Sequence, residues 1–293
     1  MSGFALTAQV DPLNFAVVRL KSFFGDTLLG HATGFFYYGV LDNKPNHWLV
    51  TNWHVLAGRN ADDPSQILHP KAALPNRVSL TLTIKGDQPE YGSVTDGRLL
   101  QQELLFELYD QQGLASWTQH AEKNEIDVAI INTSGFLSGR YHFTGINELP
   151  MQHDMLIEVG NEVFILGYPL GFTHFMNTPI WKRGSIASEP NLETPEARKR
   201  VVIDATTRQG MSGAPVVMRA KTHYIAESGE IKTQINATRW LGIYASRPAL
   251  PPAITLIDED RRAEVGFFYK MGCVHDAIVK GVRGPPYGEL PKP

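Results

Sequence analysis

Arg208-Gln209-Gly210-Met211-Ser212-Gly213-Ala214-Pro215-Val216-Val217 sets a serine between glycines and runs straight into an apolar strand. Glycine tolerates backbone angles that other residues resist, so the stretch reads as a tight turn. The run Ala214 to Met218 that follows has strand length. Similar runs recur on both sides of it. Upstream are Phe15 to Leu20, Gly34 to Val40, Trp48 to Thr51, Val78 to Ile84 and Asp127 to Ile131. After the middle come Glu162 to Leu166, Lys182 to Ile186, Val201 to Asp204, Trp240 to Tyr244 and Val265 to Tyr269. They are rich in Val, Ile, Phe and Tyr and are separated by Gly, Pro, Asn and Asp, as strands in a β protein are. Helical spacing is scarce. Arg98 to Tyr109 is ambiguous, and His275 to Val282 reads as a short C-terminal helix. The pattern predicts an antiparallel all-β protein of two small barrels rather than alternating βαβ units. A polar connection at Asn147 to Asp154 divides residues 1–150 from 151–282, and the Pro- and Gly-rich 283–293 is expected to be a loosely held tail.

Of the 293 residues, 43% are hydrophobic and 19% charged, enough apolar material for one large core or two small ones. A net charge of -3 creates no field suited to a polyanion, so nucleic acid is not expected as a partner. The basic run Arg198, Lys199, Arg200 follows Glu193, Thr194, Pro195 and Glu196 and reads as a solvated loop. The single cysteine, Cys273, excludes an intrachain disulfide. No signal peptide and no apolar run of about 18 residues is visible. The expectation is a soluble cytoplasmic protein without membrane partners, or an exported one whose leader has been removed.

Three contexts carry chemistry. Leu49-Val50-Thr51-Asn52-Trp53-His54-Val55-Leu56-Ala57 ends an apolar strand in a histidine, where the imidazole of a general base would be held still. Asn124-Glu125-Ile126-Asp127-Val128-Ala129-Ile130-Ile131 sets an aspartate at the head of an apolar strand, where burial would require partners. Asp127 is therefore either a solvated turn residue or a carboxylate that orients a catalytic histidine. The turn Gly210-Met211-Ser212 can aim backbone N–H groups, those of Gly210 and Ser212, at one point beside the serine oxygen and so form an oxyanion hole.

The order His54, Asp127, Ser212 resembles that of the trypsin-like serine peptidases, in particular the disulfide-free bacterial HtrA-type and V8-like branch. Thr51-Asn52-Trp53-His54-Val55 is similar to their T-N-x-H-V, and Asp127-Val128-Ala129-Ile130 to their D-[LV]-A-[VI]. Gly210 to Pro215 is similar to G-N-S-G-G-P, and Gly167-Tyr168-Pro169-Leu170-Gly171 to G-Y-P-x-G. Gly266 to Val282 resembles the family's final strand and helix. The resemblance implies two antiparallel six-stranded β-barrels and hydrolysis of protein or peptide substrates through an acyl-enzyme. In that reaction His54 would be general base, Asp127 its orienting acid and Ser212 the nucleophile. Met211 stands where digestive members carry an aspartate, so activation by a new N-terminus is not expected. The chain ends soon after the last helix, so a peptidase domain without an attached PDZ domain is expected.

A substrate pocket is expected around Thr206 and Thr207 and the strand residues Tyr244, Ala245 and Ser246. No acidic residue stands at its likely base, and Arg247 lies just beyond. Three rivals remain. An α/β-hydrolase esterase, with Asp258 and His275 as partners, lacks the flanking helices. A catalytically silent peptide-binding barrel would retain the three residues without their alignment. A Cys273–His275 pair sits near a helix start, where the two point different ways. No H-E-x-x-H, cysteine pair or phosphate-binding glycine motif occurs, so neither metal nor nucleotide cofactor is expected.

Overall fold

Val17–Phe24 (β1) and Thr27–Leu41 (β2) are joined by the turn at Gly25, whose positive φ of 55° lets the hairpin close in two residues. In this computed structural model the described residues are 10–41, 44–85, 94–95, 98–99, 101–137, 139–174, 177–192, 199–246 and 264–289. The register runs from Val17 opposite Phe35 to Phe24 opposite Thr27. Lys44–Thr51 (β3), Arg77–Ile84 (β4), Gln101–Glu107 (β5), Thr118–Gln119 (β6) and Ala129–Asn132 (β7) extend the sheet. With Tyr141–His142 and Val282–Arg283 at its edges, this sheet holds nine strands. Its ladders do not close into a ring. The turn 108–116 bridges the gap between β5 and β6, where Ser116 N–H donates to Leu108 O at 2.9 Å. Where a six-stranded barrel was expected, this half is a nine-stranded sheet, because short segments from outside the expected strands pair with its edges.

The second half is a closed six-stranded barrel. Its strands are Glu162–Gly167 (β8), Ile180–Ile186 (β9), Arg200–Asp204 (β10), Pro215–Ala220 (β11), Ala237–Ser246 (β12) and Val265–Lys270 (β13). The ring closes where Phe164 of β8 pairs with Val217 of β11. The ambiguous stretch at 98–109 is strand over Gln101–Glu107, alternating in exposure against β4, so its spacing served a period of two. The short helix α2 spans Met271–Lys280, four residues earlier at its start than the sequence suggests.

Side chains that alternate along single strands feed separate cores. Phe35, Trp48 and Val50 point one way, while Phe36 and Leu49 point the other. The second group fills the first sheet, and Ile165, Val201, Val216 and Phe268 fill the closed barrel. Between them lies a third core, built from Phe35, Val50 and Ile130 of the first half with Leu166, Val217 and Ile243 of the second. The α2 face Cys273, Val274, Ala277 and Ile278 covers it. Among the described residues no helix is long and apolar enough to cross a membrane.

The segment after α2 departs from the loose tail expected at 283–293. Val282 and Arg283 pair with Gln119 and Thr118. Gly284 N–H donates to Trp117 O, and Tyr287 N–H to Gly113 O. A Cβ at Gly284 would stand 2.7 Å from the Trp117 ring, so only glycine lets the chain pass so close. Residues 283–289 are thus docked, and 290–293 lie outside the described residues. Ending the chain after Lys280 should lower stability by about 2 kcal/mol through the lost ladder bonds. Differential scanning calorimetry should then record a melting temperature lower by roughly 4–8 °C. An unchanged melting temperature would dismiss the docking.

Candidate active site

His54 lies in the single helical turn Trp53–Ala57 (α1), directly after β3. Gly58, at φ 69°, closes the turn by donating its N–H to His54 O at 2.9 Å. Two buried side chains pin the turn from either side. Trp53 Nε1–H donates to Gln119 Oε1 at 2.7 Å, and Asn52 Nδ2–H donates to Asp127 O at 2.7 Å. The imidazole is therefore carried on a rigid base.

Asp127 is 3% exposed, and both of its oxygens serve His54. Oδ2 stands 2.7 Å from His54 Nδ1, and Oδ1 accepts the His54 backbone N–H at 2.9 Å. Asp127 is thus a buried carboxylate paired with the His54 turn rather than a solvated turn residue. It sits between Ile126 and Val128, both buried in the core shared by the halves. The Tyr269 hydroxyl nearby donates to Glu125 O at 3.2 Å. Burial, reinforced by the Asp127 charge, raises the Tyr269 phenol well above its ordinary range, so it stays protonated.

Ser212 comes from the second half. Its turn is held by Thr33 of β2, a fully buried residue that the sequence reading passed over. Thr33 Oγ1–H donates to Gly210 O at 2.8 Å and accepts Tyr168 N–H at 3.1 Å. Its backbone N–H donates to Ser212 O at 2.8 Å, and its carbonyl accepts Thr51 Oγ1–H at 2.8 Å. A lone threonine within an apolar strand was the available signal, and nothing local distinguishes it from a packed one.

Glycine is required at both flanks of the serine. Gly210 has φ 96°, and a Cβ there would lie 2.4 Å from Tyr168 O. Gly213 has φ 86°, and a Cβ there would lie 2.0 Å from Thr33 O. The segment Gly167 to Gly171 supports the same turn, because Leu170 N–H donates to Gln209 O at 2.6 Å. In a trans peptide the next N–H points the opposite way, so that of Gly210 is turned from Leu170. Among the described residues, neither the Gly210 nor the Ser212 N–H donates to another backbone group. Met211 is the exception among the three expected oxyanion residues. Its N–H returns to Arg208 O at 3.2 Å and its side chain is fully buried, so both serve the turn itself.

His54, Gln209, Gly210 and Ser212 line one cavity of about 260 Å³. His54 and Ser212 therefore face a common space, although no hydrogen bond joins Ser212 Oγ to His54 among those of the described residues. The expected pocket residues stand elsewhere. Thr207 and Tyr244 are buried and joined hydroxyl to hydroxyl at 2.5 Å, and Thr206 donates to Glu264 at 3.1 Å. Ala245 is fully buried, and Ser246 pairs through its backbone with Phe267. None of the five lines the cavity at Ser212. Arg198, Arg247 and Asp258 lie outside the described residues.

Cys273 faces the shared core while His275 is exposed, so the two do not pair. Burial pushes the thiol up to about 11, which removes its nucleophilic character at neutral pH. Among the described residues no cluster of His, Cys, Asp and Glu could hold a metal ion.

Two antiparallel β units with these residues between them rule out the α/β-hydrolase architecture and define the trypsin-like class. The family model described as a trypsin-like peptidase domain matches residues 32–225, and the chain belongs to that family. The family is one of serine proteases, with proteins or peptides as substrates. No curated protein matches the chain in sequence. Among solved structures, it is similar to Rv3671c of M. tuberculosis in an inactive mutant form, at 19% identity and a TM-score of 0.42 over 91% of this chain and 86% of that one. It is also similar to the protease Anisep from Arthrobacter nicotinovorans, at 10% identity and a TM-score of 0.47 over 91% and 94%. A third is the thermostable serine protease AL20 from an extremophilic microorganism, at 10% identity and a TM-score of 0.46 over 91% and 97%.

Thr33→Val keeps the shape but leaves Gly210 O and Tyr168 N–H without their partner. It should cost about 2–3 kcal/mol in urea unfolding. It should also lower turnover of an activated ester roughly tenfold or more by loosening the serine turn. Thr33→Ser should restore most of both.

Proposed function

We propose that this protein is a serine endopeptidase that cleaves peptide bonds through an acyl-enzyme on Ser212. The observation that carries the reading is the double grip of buried Asp127 on His54, with the other edge of that imidazole sharing a cavity with Ser212. In the proposed reaction His54 Nε2 takes the Ser212 hydroxyl proton as Oγ attacks the carbonyl carbon. Asp127 stabilises the imidazolium that results and keeps Nδ1 protonated throughout. The Gly210 and Ser212 N–H groups receive the developing oxyanion. His54 then gives its proton to the departing amine, and a water molecule activated in the same way releases the acyl group.

The separation between Ser212 and His54 in the free protein does not argue against this order, since catalytic hydrogen bonds often tighten only with substrate bound. A silent peptide-binding barrel would differ in one respect. It would bind peptides without forming a covalent adduct.

A fluorophosphonate probe should label Ser212 in the native protein, and Ser212→Ala should lose both the label and cleavage of casein while melting within about 1 °C of wild type. Absence of labelling in native protein would favour the silent barrel. Asp127→Asn should lower turnover by roughly 10⁴-fold. An amide has one acceptor where Nδ1–H and the His54 backbone N–H each need one, so Nδ1 loses its proton or the turn shifts. Steady-state hydrolysis of a peptide anilide measures the loss.

A further inference from the structure

We propose that this peptidase selects substrates mainly on the leaving-group side: a neutral apolar side chain of the residue that departs with the new amine fills the cavity beside His54, and the acyl-side residue is small. The inference rests on the endopeptidase reading of Ser212 and names the substrate feature that its site recognises.

Two observations point the same way. The acyl half of a bound peptide would be attached to Ser212 and would face the second barrel. There Tyr244 reaches to Thr207, and both are almost fully buried. The Tyr244 ring also lies where a Cβ on Gly266 would stand 2.7 Å away, so the ring is packed against the opposite strand. A small acyl-side residue suits such a close-packed pair.

Open space lies on the other flank. His54 delivers its proton to the leaving nitrogen, so the departing peptide passes the wall that carries His54 and Val55. That wall bounds the cavity of about 260 Å³, which β2 residues 29–32 and the segment 58–75 enclose. Leu29, Ala32, Val55, Leu68, Pro70 and Pro75 belong to its apolar lining, beside the polar Ser22, His31, His69 and Gln209, and no Asp, Glu, Lys or Arg lines it. Burial, with Arg19 and Lys21 nearby, holds the His31 imidazole below the ordinary histidine range, so at neutral pH it offers no charge to an acidic side chain.

The enclosing segment is built as a wall and not as a free loop. Leu68 N–H donates to Gly58 O at 3.0 Å, and Asn60 N–H to Gln66 O at 2.9 Å. Arg59, 8% exposed, reaches Pro64 O at 3.1 Å and Gly288 O at 3.2 Å, which ties the wall to the docked C-terminal segment. A preformed cavity of this kind binds a side chain without first ordering its own walls.

Partition of the acyl-enzyme between water and added amines tests this directly. A p-nitrophenyl ester of N-acetylalanine acylates Ser212 with release of nitrophenol. An amino-acid amide then attacks the ester carbonyl through its nitrogen, the carbonyl-to-Oγ bond breaks, and the proton lost by the amine passes through His54 to Ser212 Oγ. Leucinamide or phenylalaninamide should capture the acyl group at least tenfold better than glycinamide, a difference of about 1.4 kcal/mol. Aspartamide, bearing a carboxylate, should capture no better than glycinamide.

Gly30→Val places a side chain where a Cβ meets only Ser22 Oγ at 3.8 Å, and Leu68→Ala removes a half-exposed part of the wall. Each should lower the leucinamide-to-glycinamide ratio at least fivefold, and because the ratio is taken within one variant, any loss of overall rate cancels. A nitrophenol burst with equal capture of all four amides overturns this inference and leaves the endopeptidase reading standing. Wild-type preference that persists unchanged in both variants overturns the assignment of the cavity. Absence of any burst overturns the endopeptidase reading and this inference with it.

Discussion

Thr33 is the residue through which one half of the molecule holds the other half's reactive turn. It lies in a strand of the first sheet, yet three of its four hydrogen bonds go to residues 168, 210 and 212 of the second half. The fourth joins it to Thr51, three residues before His54. Each of these groups is buried, and a buried polar group without a partner costs more than a made bond contributes. The halves therefore cannot slide past one another without breaking several bonds at once. The spacing between the His54 turn and the Ser212 turn is set at this point, and the geometry of the site depends on it.

The apolar framework makes that stitch possible. Strands β2 and β3 send alternate side chains into two different cores, so a strand can belong to its own sheet and to the interface at once. The shared core brings Ile126 and Val128 inward, and Asp127 between them is carried into a buried position it would not occupy alone. Its charge is tolerated there because the His54 backbone N–H and Nδ1 both meet it.

The neighbourhood of Ser212 is asymmetric. Toward the second barrel, Thr207 and Tyr244, expected as pocket residues, are buried and joined hydroxyl to hydroxyl. Toward the first sheet, the proline-bearing segment 58–75 stands away from the histidine turn and leaves a cavity. Gly58 permits this course, since a Cβ there would lie 2.3 Å from Pro75. The C-terminal segment completes the support through Gly288 and Tyr287, so residues far apart in the chain share the shaping of one cavity.

Much of this was legible in the residues themselves. Period-two apolar runs, turn residues between them and glycines on either side of Ser212 are local signals, because strand pleat and tight turns depend on neighbours in the chain. The His54, Asp127 and Ser212 contexts could be picked out for the same reason. Thr33, the buried Thr207–Tyr244 pair, the use of the Met211 N–H within its own turn and the docking of 283–289 could not. Each depends on which side chain another strand places opposite it, and that register is set by the packing of three cores together. By itself the sequence determined the strand framework and the candidate reactive groups. Only the tertiary structure decided which polar groups find partners and where space remains, since both are properties of contacts between distant segments.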